Sequence, residues 1–280
     1  MEKILVTTDL SNNSKAAIRF AIKLAKERKA MLAIVNVYNL IKPFKWTDES
    51  FALHTSTFLE QNSEDLSSFI TQICKSIDET DIKYELVQIS NSDVVDGIIA
   101  YAAKNDISYI CISTRGAGVF TKIFGTHTAK LITHSTTPVL CIPSAYHVRE
   151  IKHILYASDM TDYRRELTKV VEFARPLQAT VEMIHFSDPS EFINDKEIME
   201  ATLNKVADYK VTMTNRERLI ANTLLEDIDQ AICLSKPSMI VLFTHQSKSV
   251  FEKLLYPSSA ADFSYYGKIP MLTFSKREND

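Results

Sequence analysis

The sequence predicts an α/β fold: two doubly wound, parallel-sheet sandwiches in tandem, each running β-α-β-α-β-α-β-α-β. Three observations carry this. The opening "KILVTTDLS" recurs as "HILYASDMT" 150 residues further along, placing Asp159 over Asp9. Apolar runs of strand length alternate with amphipathic stretches, the pattern of parallel strands covered on both faces. Each half closes with a short strand led by proline, Pro138–Ile142 and Pro270–Phe274. Right-handed crossovers then place any ligand site beyond the carboxyl ends of the strands.

In order, Lys3–Val6 is the first strand, Ser14–Arg28 an amphipathic helix and Ala30–Tyr38 a buried strand rich in Val, Ile and Met. Asn39–Ser50 follows with Pro43, Phe44 and the only tryptophan, Trp46, and leads into a helical pattern from Phe51 to Glu79. Such an aromatic loop is either a lid or partner surface over the sheet end, or a loop that packs on its own helix. Asp93–Ile112 spans the next helix and strand, and Ala129–His134 the last helix of this half. In the second half, Asp162–Arg175 is the first helix and Ala179–Phe186 the second strand. Its third strand is placed near Thr212–Ala221 by the repeat alignment. Thr223–Leu242 then matches Asp93–Ile112 at a shift of 130. The joint lies at Pro143–Lys152, giving domains 1–145 and 150–280.

Composition limits the function. The 280 residues carry 32 Lys and Arg against 35 Asp and Glu, a net charge of −3 without long blocks, and 45% are hydrophobic. No basic face for a nucleic-acid backbone is expected. The apolar runs are far shorter than the roughly 18 residues of a spanning helix, so no membrane segment is expected. The start enters a strand at once, with no leader pattern, and the expected location is cytoplasmic. Cys74, Cys111, Cys141 and Cys233 have neither C-x-x-C nor zinc-site spacing and read as reduced thiols, Cys111 and Cys141 inside apolar runs.

The segment that carries chemistry follows the apolar strand Ile107–Ser113. The chain has 5 glycines, where average usage would give roughly 20. Three of them, Gly116, Gly118 and Gly125, fall in one window. Gly125-Thr126-His127-Thr128 opens the next helix. Glycines let backbone N–H groups approach an anion, and a helix start adds unpaired donors and a favourable dipole. Thr126 and Thr128 add hydroxyls. Arg115 and His127 either touch a phosphate or are solvated surface charges. The segment is neither a Walker A loop nor a G-x-G-x-x-G turn, and the glycines also suit a tight turn with a helix cap. Asp9, at the end of the first strand, either holds a ribose hydroxyl or Mg²⁺, or caps the following helix.

The opening "KILVTTDLS", the loop "STRGAGVFTKIFGTHTAKLITHSTTPVLCIP" and the order of elements resemble the universal stress protein (UspA-type) family in a tandem form, strongly over Met1–Pro143 and more weakly over Ser144–Asp280. The resemblance implies a Rossmann-like, adenine nucleotide alpha hydrolase-like fold and binding of ATP or AMP, with or without magnesium. Nucleotide-binding members carry Gly-x2-Gly-x9-Gly-[Ser/Thr] here. Ser113 stands at the first glycine, Gly116 at the second, and Gly125-Thr126 at the last pair. Asp9, with Thr7 beside it on the strand end, stands at the acidic position, and Val37 at a backbone contact to adenine. Together with the residues read from the loop itself, the candidate nucleotide-binding set is Thr7, Asp9, Val37, Ser113, Arg115, Gly116, Gly125, Thr126, His127 and Thr128. Two departures are the serine at 113 and a loop shorter by one residue.

The corresponding loop of the second half, Thr244–Ser259, has no glycine, and Pro257, which lacks an N–H, replaces the last one. This copy is expected to be degenerate. No H-x-x-x-H or H-E-x-x-H pair, G-x-S-x-G elbow or general base is recognisable, so neither a metal site nor a catalytic residue is assigned. Three readings are ordered: a nucleotide-binding stress or signalling module, a nucleotide-free interaction scaffold, and last a slow ATP hydrolase. The resemblance implies dimerisation through the closing strand, which a tandem chain can satisfy internally as a pseudo-dimer, with a homodimer also open.

Overall fold

A computed structural model describes residues 1–79, 81–114, 126–187, 196–218, 222, 224–245 and 268–276. The first half runs β1 (Lys3–Thr7), α1 (Lys15–Arg28), β2 (Met31–Tyr38), α2 (Asp48–Ser76), β3 (Tyr84–Ser90), α3 (Val94–Lys104), β4 (Tyr109–Thr114), α4 (Thr126–His134) and β5 (Val139–Pro143). The second runs β6 (His153–Ser158), α5 (Tyr163–Ala174), β7 (Thr180–Ser187), α6 (Lys196–Ala207), β8 (Val211–Glu217), α7 (Leu224–Ser235), β9 (Met239–His245) and β10 (Met271–Lys276). The last helix expected before β10 lies outside the described residues.

The ten strands of the described residues form one sheet in the order β3-β2-β1-β4-β5-β10-β9-β6-β7-β8. Within each half the pairing is parallel. The closing strands meet antiparallel, Leu272 opposite Leu140 and Met271 opposite Cys141. Across the same seam, Arg28 holds Glu2 through two 2.8 Å bonds and donates to the Phe173 carbonyl at 2.7 Å. The Tyr109 and Phe173 rings meet edge to face.

One apolar layer lies on each side of the sheet. Ile4, Val6, Ile34, Phe20, Leu66 and Ile70 belong to the α1 and α2 side, and Leu5, Val35, Ile98, Ile110 and Leu131 to the α3 and α4 side. Adjacent residues of β1 thus point to opposite layers, as the pleat requires. The near-absence of polar residues in these strands follows, because neither face meets water.

The repeat is also written in the backbone. Among the described residues, eight non-glycine residues have positive φ, and they form four equivalent pairs: Leu10 and Met160, Lys29 and Gln178, Asp78 and Asp208, Asp106 and Lys236. The first pair follows β1 and β6, and the others sit where helices end in left-handed turns. The turns after α1 and α5 carry Lys29 (φ 54°) and Gln178 (φ 53°) rather than glycine. Such ends are hard to read from composition.

Two elements depart furthest from the sequence expectation. The long helix begins at Asp48 because the Thr47 hydroxyl accepts the Ser50 N–H at 3.1 Å, adding a turn before Phe51. The third strand of the second half is Val211–Glu217, one residue earlier than Thr212 at its start and ending at 217, with 219–221 outside the described residues.

Candidate functional site

The strand order reverses between β1 and β4, so the crevice of an open α/β sheet falls at their carboxyl ends. There Thr8, just past β1, continues the ladder by donating its N–H to the Val35 carbonyl at 2.9 Å. The Thr8 side chain then shapes the turn. Its Oγ1 accepts the Leu10 N–H at 3.0 Å and lies 2.8 Å from Ser14 Oγ, which donates to the Ser11 carbonyl. Leu10 takes the left-handed conformation, with φ 61°. The result presents Asp9 outward: its carboxylate accepts the Ser11 N–H at 3.0 Å and is otherwise exposed.

The Thr8 carbonyl is held from behind by an amide relay. Asn36 Nδ2 donates to it at 2.9 Å, and Asn36 Oδ1 accepts from Asn62 Nδ2 at 3.0 Å. Asn62 Nδ2 also donates to Gln88 Oε1 at 3.1 Å, and Gln88 Nε2 donates to the Leu59 carbonyl. Each amide is oriented by the next, so α2, β3, β2 and the Asp9 turn form one connected unit. These residues escaped the sequence reading. The signal available was Asn36, an amide in the otherwise apolar Met31–Val37.

Of the candidate residues, the structure brings Thr7, Asp9 and Ser113 to the crevice edge, with Val37 on the neighbouring β2, half-buried and paired with Ile89. Ser113 Oγ donates to the Asn13 carbonyl at 2.5 Å, tying β4 to the turn before α1. Thr126 and His127 are exposed at the start of α4, whereas Thr128 is buried. Arg115, Gly116 and Gly125 lie outside the described residues, as does most of the second-half loop after His245. Farther along α4, Lys130 is taken by Asp93 (2.8 Å) and Asp96 (3.0 Å). The Asp93 carboxyl is held at about 2 by the Lys130 ammonium and its cap bonds to the Asp96 and Val95 amides.

The loop before α2 meets its own helix: the Trp46 and His54 rings pack edge to face at 5.0 Å, and Lys42 pairs with Asp48 at 2.5 Å. Phe44 and Ile41 stay exposed.

The equivalent turn of the second half is built alike but filled. His185, in the place of Asn36, lies 3.0 Å from the Ser158 carbonyl, so Nδ1 carries the proton. Asp159 is exposed on one side, but Lys276 Nζ reaches it at 2.6 Å and Glu166 Oε1 at 2.8 Å. The Tyr156 hydroxyl bonds the other Glu166 oxygen and lies 3.0 Å from Ser158 Oγ. Burial pushes the Tyr156 hydroxyl far above its usual range, reinforced by the Glu166 charge. Burial raises the Asp159 carboxyl, but Lys276 and Thr161 more than reverse this and leave it below the ordinary value. Sequence position gave no sign of this cluster.

Cys111 and Cys141 are buried free thiols, pushed up by desolvation. Among the described residues no three His, Cys, Asp or Glu side chains are grouped to hold a metal ion, and no helix is long and apolar enough to cross a membrane.

A model of the universal stress protein family matches residues 1–143. Among solved structures, a universal stress protein from Archaeoglobus fulgidus DSM 4304 is similar over 98% of both chains, at 18% identity and a TM-score of 0.70. A protein of unknown function from Pseudomonas aeruginosa PAO1 is similar over 98% of this chain and 92% of that one, at 15% identity and a TM-score of 0.55. A universal stress protein from Archaeoglobus fulgidus in complex with dAMP covers 51% of this chain and 98% of that one, at 22% identity and a TM-score of 0.36. No curated protein matches the chain.

Proposed function

The chain belongs to the universal stress protein family, and from that premise we propose that it is a cytoplasmic stress or signalling module that binds one adenine nucleotide, ATP or AMP, in its first half. One observation carries the reading: Asp9 stands open at the switch point, held by a single backbone N–H, beside the strand that leads into the glycine segment. An exposed carboxylate with free lone pairs suits the two hydroxyls of a ribose. In this reading Asp9 accepts from the ribose, the Val37 backbone faces the base, and the amides of Ser113, Gly116, Gly125 and Thr126 take the phosphates. Thr7, Arg115, His127 and Thr128 complete the surroundings, and magnesium, where present, sits with the phosphates.

The first unit, 1–145, holds the ligand. The second, 150–280, is its degenerate counterpart, joined to it as a pseudo-dimer, a reading supported by the antiparallel β5–β10 seam. The reading includes no catalytic step.

Calorimetric titration of the full chain with ATP and AMP, with and without magnesium, tests it. One site per chain is expected. Asp9→Asn weakens binding about tenfold, as loss of a charge-assisted hydrogen bond does, and Gly125→Asp, which brings a carboxylate to the phosphates, abolishes it. Asp159→Asn leaves the affinity unchanged. Absence of saturable binding at millimolar nucleotide overturns the reading in favour of a nucleotide-free scaffold.

A further inference from the structure

The sheet has two outer edges, and they are finished differently. On β8 the bond from the Arg218 N–H to the Ser187 carbonyl sets the alternation, so the amides of Val211 and Met213 point away from the sheet. Both are capped from α6, Val211 by Asn204 Oδ1 at 2.5 Å and Met213 by Glu200 Oε1 at 2.8 Å. Over Val211–Met213 that edge is closed to another strand.

On β3 the bonds from Leu32 N–H to the Lys83 carbonyl and from Asn91 N–H to the Tyr38 carbonyl set the same alternation. Tyr84, Leu86, Gln88 and Ser90 therefore direct N–H and C=O outward. Among the described residues, no partner meets these four amides.

We propose that β3 is the pairing edge of a homodimer, to which a second copy adds its own β3 antiparallel about a twofold axis at Val87. The strand is self-complementary in that register. Leu86 faces the partner's Gln88 and Tyr84 faces the partner's Ser90, all with outward-directed backbone groups, so each facing pair exchanges two hydrogen bonds. Glu85 faces the partner's Ile89, and no like charges meet. A twofold axis closes the assembly and consumes both bare edges, which an unrelated peptide on one edge does not.

The helix beside β3 leaves room for this pairing. α2 is fastened to β3 through Asn62, Leu59 and Gln88. Its Phe69 is turned toward α1, where Lys15 lies 5.4 Å from the ring. Its exposed side carries the small residues Ser63, Ser67 and Thr71 with Glu64 and Lys75 toward the ends. Small side chains there permit close approach of a second copy.

Sedimentation equilibrium of the full chain tests this. The wild type is expected to give twice 31.8 kDa at concentrations of about 100 µM, where a modest interface of this kind is populated. Tyr84 and Ser90 are exposed, so their replacement spares the core. Tyr84→Lys with Ser90→Lys sets lysines opposite each other and weakens the dimer about tenfold. Tyr84→Glu with Ser90→Lys sets opposite charges in the same register and restores it. Hydrogen exchange on the wild type adds a measurement that needs no variant: amides 84, 86, 88 and 90 slow as concentration rises. A monomeric wild type, a dimer indifferent to the double lysine, failure of the charge-paired variant to restore it, or exchange independent of concentration each overturns the proposal. So does saturation of the edge by an unrelated extended peptide with no self-association.

Discussion

The turns after β1 and β6 are one design executed twice, with opposite outcomes at the carboxylate. Thr8 and Ser158 each use a side-chain oxygen to take an N–H two residues on, Leu10 and Met160 each adopt positive φ, and Asp9 and Asp159 each accept the N–H of the residue two along. Behind them Asn36 and His185 bond the same carbonyl. The halves diverge at two other places. Ala17 in the first half is Glu166 in the second, and Ser144, just past β5, corresponds to Lys276 at the end of β10. An ammonium from the closing strand thereby occupies the second crevice and neutralises Asp159. A crevice in a repeat can thus be filled without loss of the turn that frames it: side chains of the chain itself satisfy the turn's charge.

The largest break in this comparison is expected from Lys276→Met. Lys276 is 9% exposed and Glu166 4%, and removal of the ammonium leaves Glu166 without its counter-charge. Breaking a buried pair from one side costs about 3–5 kcal/mol. Urea unfolding followed by circular dichroism is expected to show the second half melting first. Lys276→Met with Glu166→Ala, which copies the first half at one of the two places, recovers most of that loss. A loss below about 1 kcal/mol, the range of a surface ion pair, contradicts the view that the cluster is buried.

Asn62→Leu is the corresponding break in the first half. It leaves Asn36 Oδ1 and Gln88 Oε1 without their donor, and buried acceptors left unpaired cost about 1–3 kcal/mol. Because Asn36 holds the Thr8 carbonyl, exchange of the Leu10 and Ser11 amides is expected to quicken while that of Met160 and Thr161 does not. Equal quickening in both halves removes the relay as a local support of the Asp9 turn.

What was legible beforehand follows from what local sequence encodes. The apolar runs Lys3–Val6, Met31–Tyr38 and Met239–Leu242 specified buried parallel strands because burial on both faces leaves no polar alternation to mislead. The repeat "KILVTTDLS" and "HILYASDMT" located both turns. The start of α2 rested on one hydroxyl, Thr47, and was missed by a turn. The filled crevice was beyond reach, since Lys276 meets Asp159 across 117 residues and only the sheet order brings β10 near that crevice. Asn36 stood in plain view, yet its partner Asn62 reads as one more polar position on an amphipathic helix.

The smallest effect concerns acid. Ala33 of β2 corresponds to Glu182 of β7, the third residue of each strand. His153 holds the Glu182 carboxyl at about 2 against the pull of burial, with Ser235 and Thr214 adding bonds of 2.5 and 2.7 Å. A carboxyl lowered in the folded state gives stability that is complete above its ordinary value of 4.5 and disappears as pH falls toward about 2. Partial exposure screens the interaction, leaving roughly 1–2 kcal/mol. Glu182→Gln is therefore expected to destabilise the chain at pH 7 and to flatten its stability between pH 4.5 and 2. The loss belongs to the second half, so fluorescence of Trp46, which lies in the first, reports it less than circular dichroism does. Coincident acid transitions by both probes place the two halves in one cooperative unit joined through the β5–β10 seam.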